Sequence, residues 1–428
     1  MTAIQTLPAA GRMPPRREET HDRRSWLRRV PPVHSPLSFG ALREAIVDAV
    51  HDDARPRLAK NLCRMYDADE ALLADSGTHA LQLAISLALR LTRAPNVVAL
   101  PAYCCFDAAT AAVGAGARIM LYDVDPDTMA PEMASFERAM SSGAGVAVVA
   151  PLYGMPVDWP ALEASAARYG TMLIEDAAQG FGASLNEKPL GAHGRLSVLS
   201  FGRGKGWTGG RGGALLARGC VLDMLGHAHD FEPDSSPALG GLLRAAVQWA
   251  AGRPSLYALP ASIPWLHLGE TRYHDPLPIR EMPRVAAGLL ERSYPLALRE
   301  ADVRRRTASS YLRDFMAPEL AKFARRVKFM RPATGAAPGY LRLPIRLSHG
   351  LCGLPDPGRA TWLGAARGYP STLGELRAVR RRLHTIHGAD RWPGAETLVG
   401  EVVTLPTHSY VEREDRKELT GLVRHYHS

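Results

Sequence analysis

The chain has 428 residues, 46% hydrophobic and 22% charged, which leaves room for two domains around a sizeable core and argues against a disordered or repetitive polypeptide. Nearly half of the net charge of +9 sits in residues 1–30, where seven arginines face only Glu18, Glu19 and Asp22, which weakens the case for a nucleic-acid partner. The five cysteines (63, 104, 105, 220, 352) lack metal-ligand spacing and include an adjacent pair, which points to a reducing, cytoplasmic setting without a metal.

The Pro/Arg-rich start (1–33) reads as a disordered tail, and it has no apolar stretch of the kind a secretory signal needs. From 35 to 66 apolar residues recur at helical spacing: Leu42, Ile46, Val50, then Leu58, Leu62 and Met65. A short apolar segment then ends at Asp75-Ser76-Gly77-Thr78, and a helix follows from His79 to about Leu91. Strand and helix patterns alternate after that. VVALPAY, ARIMLYDV, GVAVVAPLYG and TMLIEDAAQ read as strands, with helices between them. LSVLSF and GALLA read as neighbouring strands without a helix between. The alternation predicts an α/β domain over 34–235, with a mostly parallel central sheet flanked by helices.

Residues 238–269 carry only Arg244 and Arg253 as charges, yet their prolines and arginines argue against a membrane span. The segment 236–290 is read as an apolar core or subunit-interface piece, with peripheral membrane contact through Trp249 or Trp265 as the alternative. A helix from about 292 opens a smaller α/β domain over 291–428. There LRLPIRL and EVVTLP are strands and 413–425 is a closing helix.

The run SFGRGKGWTGGRGGAL (200–215) is almost half glycine around Lys205. A phosphate-binding P-loop is excluded, because Gly206 follows Lys205 and Leu199 stands where the first glycine belongs. A dinucleotide fingerprint fails too, since a strand-like segment follows instead of a helix. A linker would sit among polar residues, and this run lies between two apolar strands. Presentation of the lysine amine remains.

In a parallel sheet, ligands bind beyond the carboxyl ends of the strands. Three polar groups fall there. Ser76-Gly77-Thr78 opens a helix and forms an anion site, Asp176 ends TMLIED, and Lys205 follows a third strand. A lysine for a Schiff base, a carboxylate for a pyridinium nitrogen and an anion site for a phosphate together fit pyridoxal 5'-phosphate. On this reading the glycines give clearance around the cofactor ring.

SGTHAL, P-x-Y at 101–103, PLYGMPVD, IEDAAQGFGA and SF-x-x-x-K with a later GG resemble the DegT/DnrJ/EryC1/StrS family of pyridoxal-phosphate-dependent (sugar) aminotransferases, of fold type I. The resemblance implies that Lys205 is the Schiff-base lysine and proton shuttle. It implies that Asp176 partners the ring nitrogen and that Gln179 bonds the ring hydroxyl. Ser200, Gly77 and Thr78 would hold the phosphate. It further implies transfer of an amino group from an amino-acid donor, often glutamate, to a keto acceptor such as a nucleotide-linked keto sugar. A homodimer with the site near the subunit interface is also implied.

The pattern departs from the family in three places. Cys105 stands where the family places a ring-stacking Phe or Trp, leaving Phe106 or Tyr103 as substitutes. Arg211 replaces an acidic residue before GG. The Asn/Arg motif that serves the partner's site is absent, and Thr271, Arg272 and Tyr273 are the candidates for that contact. Two other readings therefore stay open: a pyridoxal phosphate enzyme of another reaction type acting on an amino acid or lipid-like ketone, or a non-catalytic relative.

Overall fold

Five apolar segments of four or five residues, β1 (Glu70–Ala74), β2 (Val97–Pro101), β3 (Arg118–Tyr122), β4 (Val146–Val149) and β5 (Met172–Asp176), join one sheet. The computed structural model describes residues 28–92, 95–219, 231–233, 238–261, 271–316, 327–384 and 391–426. The basic tail to residue 27, Cys220 and Trp265 lie outside the described residues.

A short hairpin, β6 (Ser184–Leu185) and β7 (Lys188–Pro189), precedes β8 (Leu196–Ser200) and β9 (Gly213–Ala217). The main sheet runs β1-β9-β8-β5-β4-β2-β3. Strands β3, β2, β4, β5 and β8 are mutually parallel; β9 runs against both β8 and β1. The paired reading of LSVLSF and GALLA holds, with Leu196 opposite Ala217 and Ser200 opposite Gly213. Every residue of β2, β4 and β9 is buried, as expected of strands covered on both faces.

Helices α1 (Phe39–His51), α2 (Arg55–Tyr66), α3 (Gly77–Leu91), α4 (Phe106–Gly114), α5 (Met133–Ser141) and α6 (Trp159–Tyr169) surround the sheet. Their ends follow local chemistry. The Asp158 side chain caps α6 by accepting from Ala161 N at 3.2 Å, Pro160 sits in its first turn, and left-handed Gly170 ends it.

The apolar insertion forms α7 (Ala238–Ala251) and α8 (Pro254–Ala261). Its Leu243, Val247 and Leu256 are exposed, so these side chains are not core in the single chain. Among the described residues no helix is long and apolar enough to cross a membrane.

Helix α9 (Arg284–Met316) has 33 residues, spanning about 50 Å at the α-helical rise. The boundary expected at 290–291 falls inside it. Its first turns bury Val285 and Leu289 beside Leu42 and Ala45 of α1. Its last bury Tyr311 and Phe315 in a separate core. That core is built on a four-stranded antiparallel sheet, β10 (Lys328–Phe329), β12 (Leu343–Arg346), β14 (Val402–Leu405) and β13 (Ala366–Arg367), in that spatial order. Between β10 and β12 in the chain, β11 (Ala336–Ala337) crosses over to pair with β6.

The tail boundary expected at 33 also needs correction. Val30 is buried and its N–H donates to Trp362 O at 3.0 Å, while Arg28 Nη1 reaches Asp415 Oδ1 at 2.8 Å. Ser35 Oγ accepts from Gly204 N at 2.8 Å, so this segment straps the lysine loop.

Candidate active site

The carboxyl ends of β1, β2, β4, β5 and β8 open on one edge of the sheet, and a cavity lies among the turns that leave them. It holds about 480 Å3 of empty space, including the part open to solvent. Gly77 and Thr78 line it after β1, Cys105 and Asp107 after β2, and Ala150 to Leu152 after β4. Asp176 ends β5, with Ala178 and Gln179 just beyond; Ser200 ends β8, with Lys205 in the loop that follows.

Lys205, Asp176, Gln179, Ser200, Gly77 and Thr78 thus share one wall system, although up to 128 positions separate them in the chain. Phe106 does not. It is buried in the first turn of α4, packed in the main core, and is not among the residues lining the cavity. Tyr103 is no substitute: it too is buried off the cavity, its hydroxyl accepting from Tyr369 N at 3.1 Å. Cys105 itself forms the wall there. Burial first, then the Asp107 carboxylate, push its thiol up to about 12.

The start of α3 packs tightly against Ser200. A Cβ on Gly77 would come within 2.5 Å of Ser200 Cβ, so only glycine lets the start of α3 approach Ser200. The Ser76 side chain is committed as the helix cap, accepting from His79 N at 3.1 Å. Gly77, Thr78 and Ser200 line the cavity beside this helix start, where first-turn N–H groups without a partner are the kind of donors that suit an anion.

Gln179 is held from two sides. Its Oε1 accepts from Tyr153 N at 2.8 Å, and its Nε2 donates to Tyr369 Oη at 2.7 Å. Tyr153 has φ of +55°, a left-handed conformation that a non-glycine residue adopts only under constraint. Burial raises the Asp176 pKa above the usual carboxylate range, while the charge of Lys205 opposes the rise. Asp176 Oδ1 also accepts from Ala178 N at 3.1 Å.

The glycines of 200–215 serve the protein more than a ring. A Cβ on Gly213 would meet Ser76 O at 2.3 Å, and one on Gly209 would meet Ala286 O at 2.5 Å. Gly204 has φ of +80°. The expectation of clearance around a cofactor is replaced by close backbone packing and a tight turn. Arg304, fully buried on α9, holds the same loop through Gly206 O at 3.4 Å and donates to His34 O at 3.2 Å. Sequence reading missed Arg304, because a lone arginine in the arginine-rich α9 carries no local signal.

Arg211 now has a partner. Its Nη2 pairs with Asp75 Oδ2, and His79 Nδ1 bonds the other carboxylate oxygen. Burial pushes the Asp75 pKa up, but the His79 bond and Arg211 charge outweigh it and leave it lowered. Of the cross-subunit candidates, Tyr273 packs partly buried against the main core, and Arg272 is exposed.

Residues 51–221 match the model of the DegT/DnrJ/EryC1/StrS aminotransferase family. This segment belongs to that family. An L-glutamine:2-deoxy-scyllo-inosose aminotransferase of Streptomyces kanamyceticus is 31% identical over 171 residues, 40% of each chain. The UDP-N-acetyl-3-dehydro-alpha-D-glucosamine 3-aminotransferase of Acidithiobacillus ferrooxidans is 31% identical over 206 residues, 45% of this chain and 55% of its own. The matched part thus spans about half or less of these curated relatives. The fold agrees over nearly the full length. A DegT DnrJ EryC1 StrS aminotransferase from Brucella abortus superimposes with a TM-score of 0.68 at 20% identity, covering 91% of this chain and 96% of that one. The sugar aminotransferase CalS13 from Micromonospora echinospora does so with a TM-score of 0.68 at 18% identity, covering 92% and 99%. The architecture is that of fold type I.

Proposed function

We propose that this chain is a pyridoxal 5'-phosphate-dependent aminotransferase that moves an amino group from an amino-acid donor to a keto acceptor of keto-sugar or cyclitol type. The observation that carries the reading is the convergence of Lys205, Asp176, Gln179, Ser200 and the start of α3 on one cavity. Relatives named for L-glutamine and inosose substrates favour glutamine beside glutamate as donor and a polyhydroxylated ketone as acceptor.

The residues present fit the cofactor. The cradle of Gly77, Thr78 and Ser200 suits its phosphate, the Asp176 carboxylate suits a protonated ring nitrogen, and Gln179 suits its ring hydroxyl. Cys105 puts a small side chain where the family has an aromatic. When bound, pyridoxal phosphate supplies an electrophilic aldehyde and an electron sink conjugated to it.

The chain's own residues have separate tasks. Burial raises the Asp176 pKa, and a cationic ring nitrogen beside it would favour its ionised form, as the Lys205 charge does. Lys205 Nζ, once released, takes the proton from the amine-bearing carbon of the donor as a general base. It then returns a proton to the acceptor carbon. Arg304 and Ser35 hold the loop so that Nζ stays within reach.

A homodimer is part of this reading. The exposed Phe39, Leu243, Val247 and Leu256 supply apolar surface for a second copy, and light scattering measures the mass. A reducing, cytoplasmic setting accords with the four described cysteines, all free.

The deciding experiment loads the protein with cofactor and records the visible band of lysine-linked pyridoxal. The band is expected in the wild type and absent in Lys205→Ala. L-Glutamine or L-glutamate should bleach it and release the corresponding oxo acid. A wild-type protein without the band overturns the reading.

A further inference from the structure

The cavity contains a charge to which the functional reading gives no task. Among the described residues, three charged side chains line it: Asp107, Asp176 and Lys205. In that reading Asp176 and Lys205 serve the cofactor, as do Gln179, Ser200 and the Gly77–Thr78 start of α3. The rest of the lining apart from Asp107 is Leu81, Cys105, Ala108, Ala150, Pro151 and Leu152, which offer a substrate no charge. Asp107 is the exception.

Asp107 lies in the first turn of α4 and is exposed. The helix holds it on a fixed base. Phe106, Ala108, Ala109 and Ala111 are buried around it, and Thr110 Oγ1 donates to His274 O at 2.7 Å. The Asp107 carboxylate forms no ion pair with a described residue. Its Oδ2 accepts from Cys105 Sγ at 3.4 Å, and a thiol is a weak donor. Burial raises the Asp176 pKa and the Lys205 charge opposes the rise, while the Asp107 charge adds to it. The charge of Asp107 is therefore felt inside the site.

An ionised carboxylate only accepts hydrogen bonds. It holds an N–H or O–H group by a charge-assisted bond and repels a second carboxylate or a phosphate. L-Glutamine and L-glutamate have the same length and differ in this respect alone, one ending in a carboxamide and the other in a carboxylate. We propose that Asp107 selects the amino donor by the charge of its side-chain end, accepting the carboxamide N–H of L-glutamine and rejecting the carboxylate of L-glutamate. Donor and acceptor occupy the cavity in turn, so the same carboxylate receives hydroxyl groups of the acceptor and favours an uncharged polyhydroxylated ketone over a phosphorylated one. The proposal rests on the aminotransferase reading and adds the residue that chooses among its substrates.

The test follows loss of the lysine-linked absorption band with L-glutamine and with L-glutamate, on cofactor-loaded wild type, Asp107→Asn and Asp107→Ala. The α-carboxylate is common to both donors, so its contribution cancels from their ratio. The wild type should be half-saturated at about tenfold less L-glutamine than L-glutamate, the effect of one charge-assisted hydrogen bond. Asp107→Asn, neutral and of the same shape, should bring the two within about twofold, chiefly through a gain for L-glutamate. Asp107→Ala should collapse the preference as well, so the test stands if one variant does not fold. Glutarate and its monoamide carry no amine and do not react. Calorimetric titration of this pair gives a readout independent of turnover, and the same ratios are expected. Equal half-saturation by the two donors in the wild type overturns the proposal, as does a preference that survives in both variants. A wild type without the band overturns the aminotransferase reading instead, and the glutarate pair still decides the role of Asp107.

Discussion

Glu175 and Asp176 are adjacent in β5 and serve opposite sides of the sheet. Asp176 lines the cavity with Lys205, whereas Glu175 is fully buried and accepts from Gly191 N at 2.6 Å, His193 N at 2.9 Å, Gly194 N at 3.2 Å and Ser197 Oγ at 2.9 Å. The period-2 alternation of a strand separates a carboxylate for chemistry from one for structure. Arg218 adds to the same knot through Gly191 O at 2.7 Å and Gly194 O at 2.6 Å.

Glu175→Ala strands several buried donors at once. The expected loss is about 3 kcal/mol or more of unfolding free energy. Asp176→Ala, by contrast, should leave the denaturant midpoint nearly unchanged while abolishing catalysis and weakening the cofactor. Equal destabilisation by the two substitutions would show that the division of labour is wrong. Urea unfolding of both variants supplies the measurement.

Arg211→Ala removes one of the two groups that lower the Asp75 pKa. A carboxylate whose folded pKa is depressed contributes stability above its unfolded value, and that stability is lost as pH falls through the folded value. Without Arg211 the folded pKa rises toward the ordinary range, so the contribution shrinks. Acid unfolding should therefore start at higher pH in Arg211→Ala. Circular dichroism along a pH series checks this, and unchanged acid tolerance counts against the pairing.

His34 and His408 give a second pH effect. Burial drives both pKa values down to about 3, with the Arg304 charge acting on His34 and the His34 charge on His408. His408 Nε2 bonds Pro31 O at 2.8 Å, so the pair fastens the strap that carries Ser35. In the unfolded chain these rings take protons below the ordinary value near 6.5, and in the folded chain only near 3. Unfolded protein binds more protons between those limits, so stability rises with pH across that window and is lost on acidification. His408→Gln should flatten the slope of unfolding free energy between pH 6 and 4, given as about those limits by the two pKa values. An unaltered slope contradicts the assignment.

Cys105 stands in a site where a reactive thiol would be a liability. With its pKa pushed up to about 12, little thiolate exists at neutral pH, and thiolate is the species that alkylates. Iodoacetamide at pH 8 should modify exposed Cys352 and spare Cys105, as read by peptide mass mapping. Fast labelling of Cys105 would count against its raised thiol pKa. Asp107→Asn, which removes the second cause of the raised pKa, should speed labelling of Cys105.

Much was written locally. The alternation of apolar runs with helical spacing foretold β1 to β5, β8 and β9, because strands buried on both faces need unbroken apolar segments. Caps such as Ser76 and Asp158 marked helix starts, and Lys205, Asp176 and Gly77 were legible because each follows a strand end. Chain order alone determined which residues stand at those ends.

Tertiary structure decided the rest, and the reason is sequence distance. Whether Cys105, Phe106 or Tyr103 faces the cavity depends on how β2 hands over to α4, and only the folded turn selects Cys105. Arg211 looked like an unexplained charge until β9 was paired beside β1, bringing Asp75 within reach across 136 positions. The glycines of 200–215 were explained by Ser76, Ala286 and positive φ, none of which the run itself records. Arg304 acquires meaning only where α9 closes on the lysine loop, since an arginine's role is set by the partners that packing gives it.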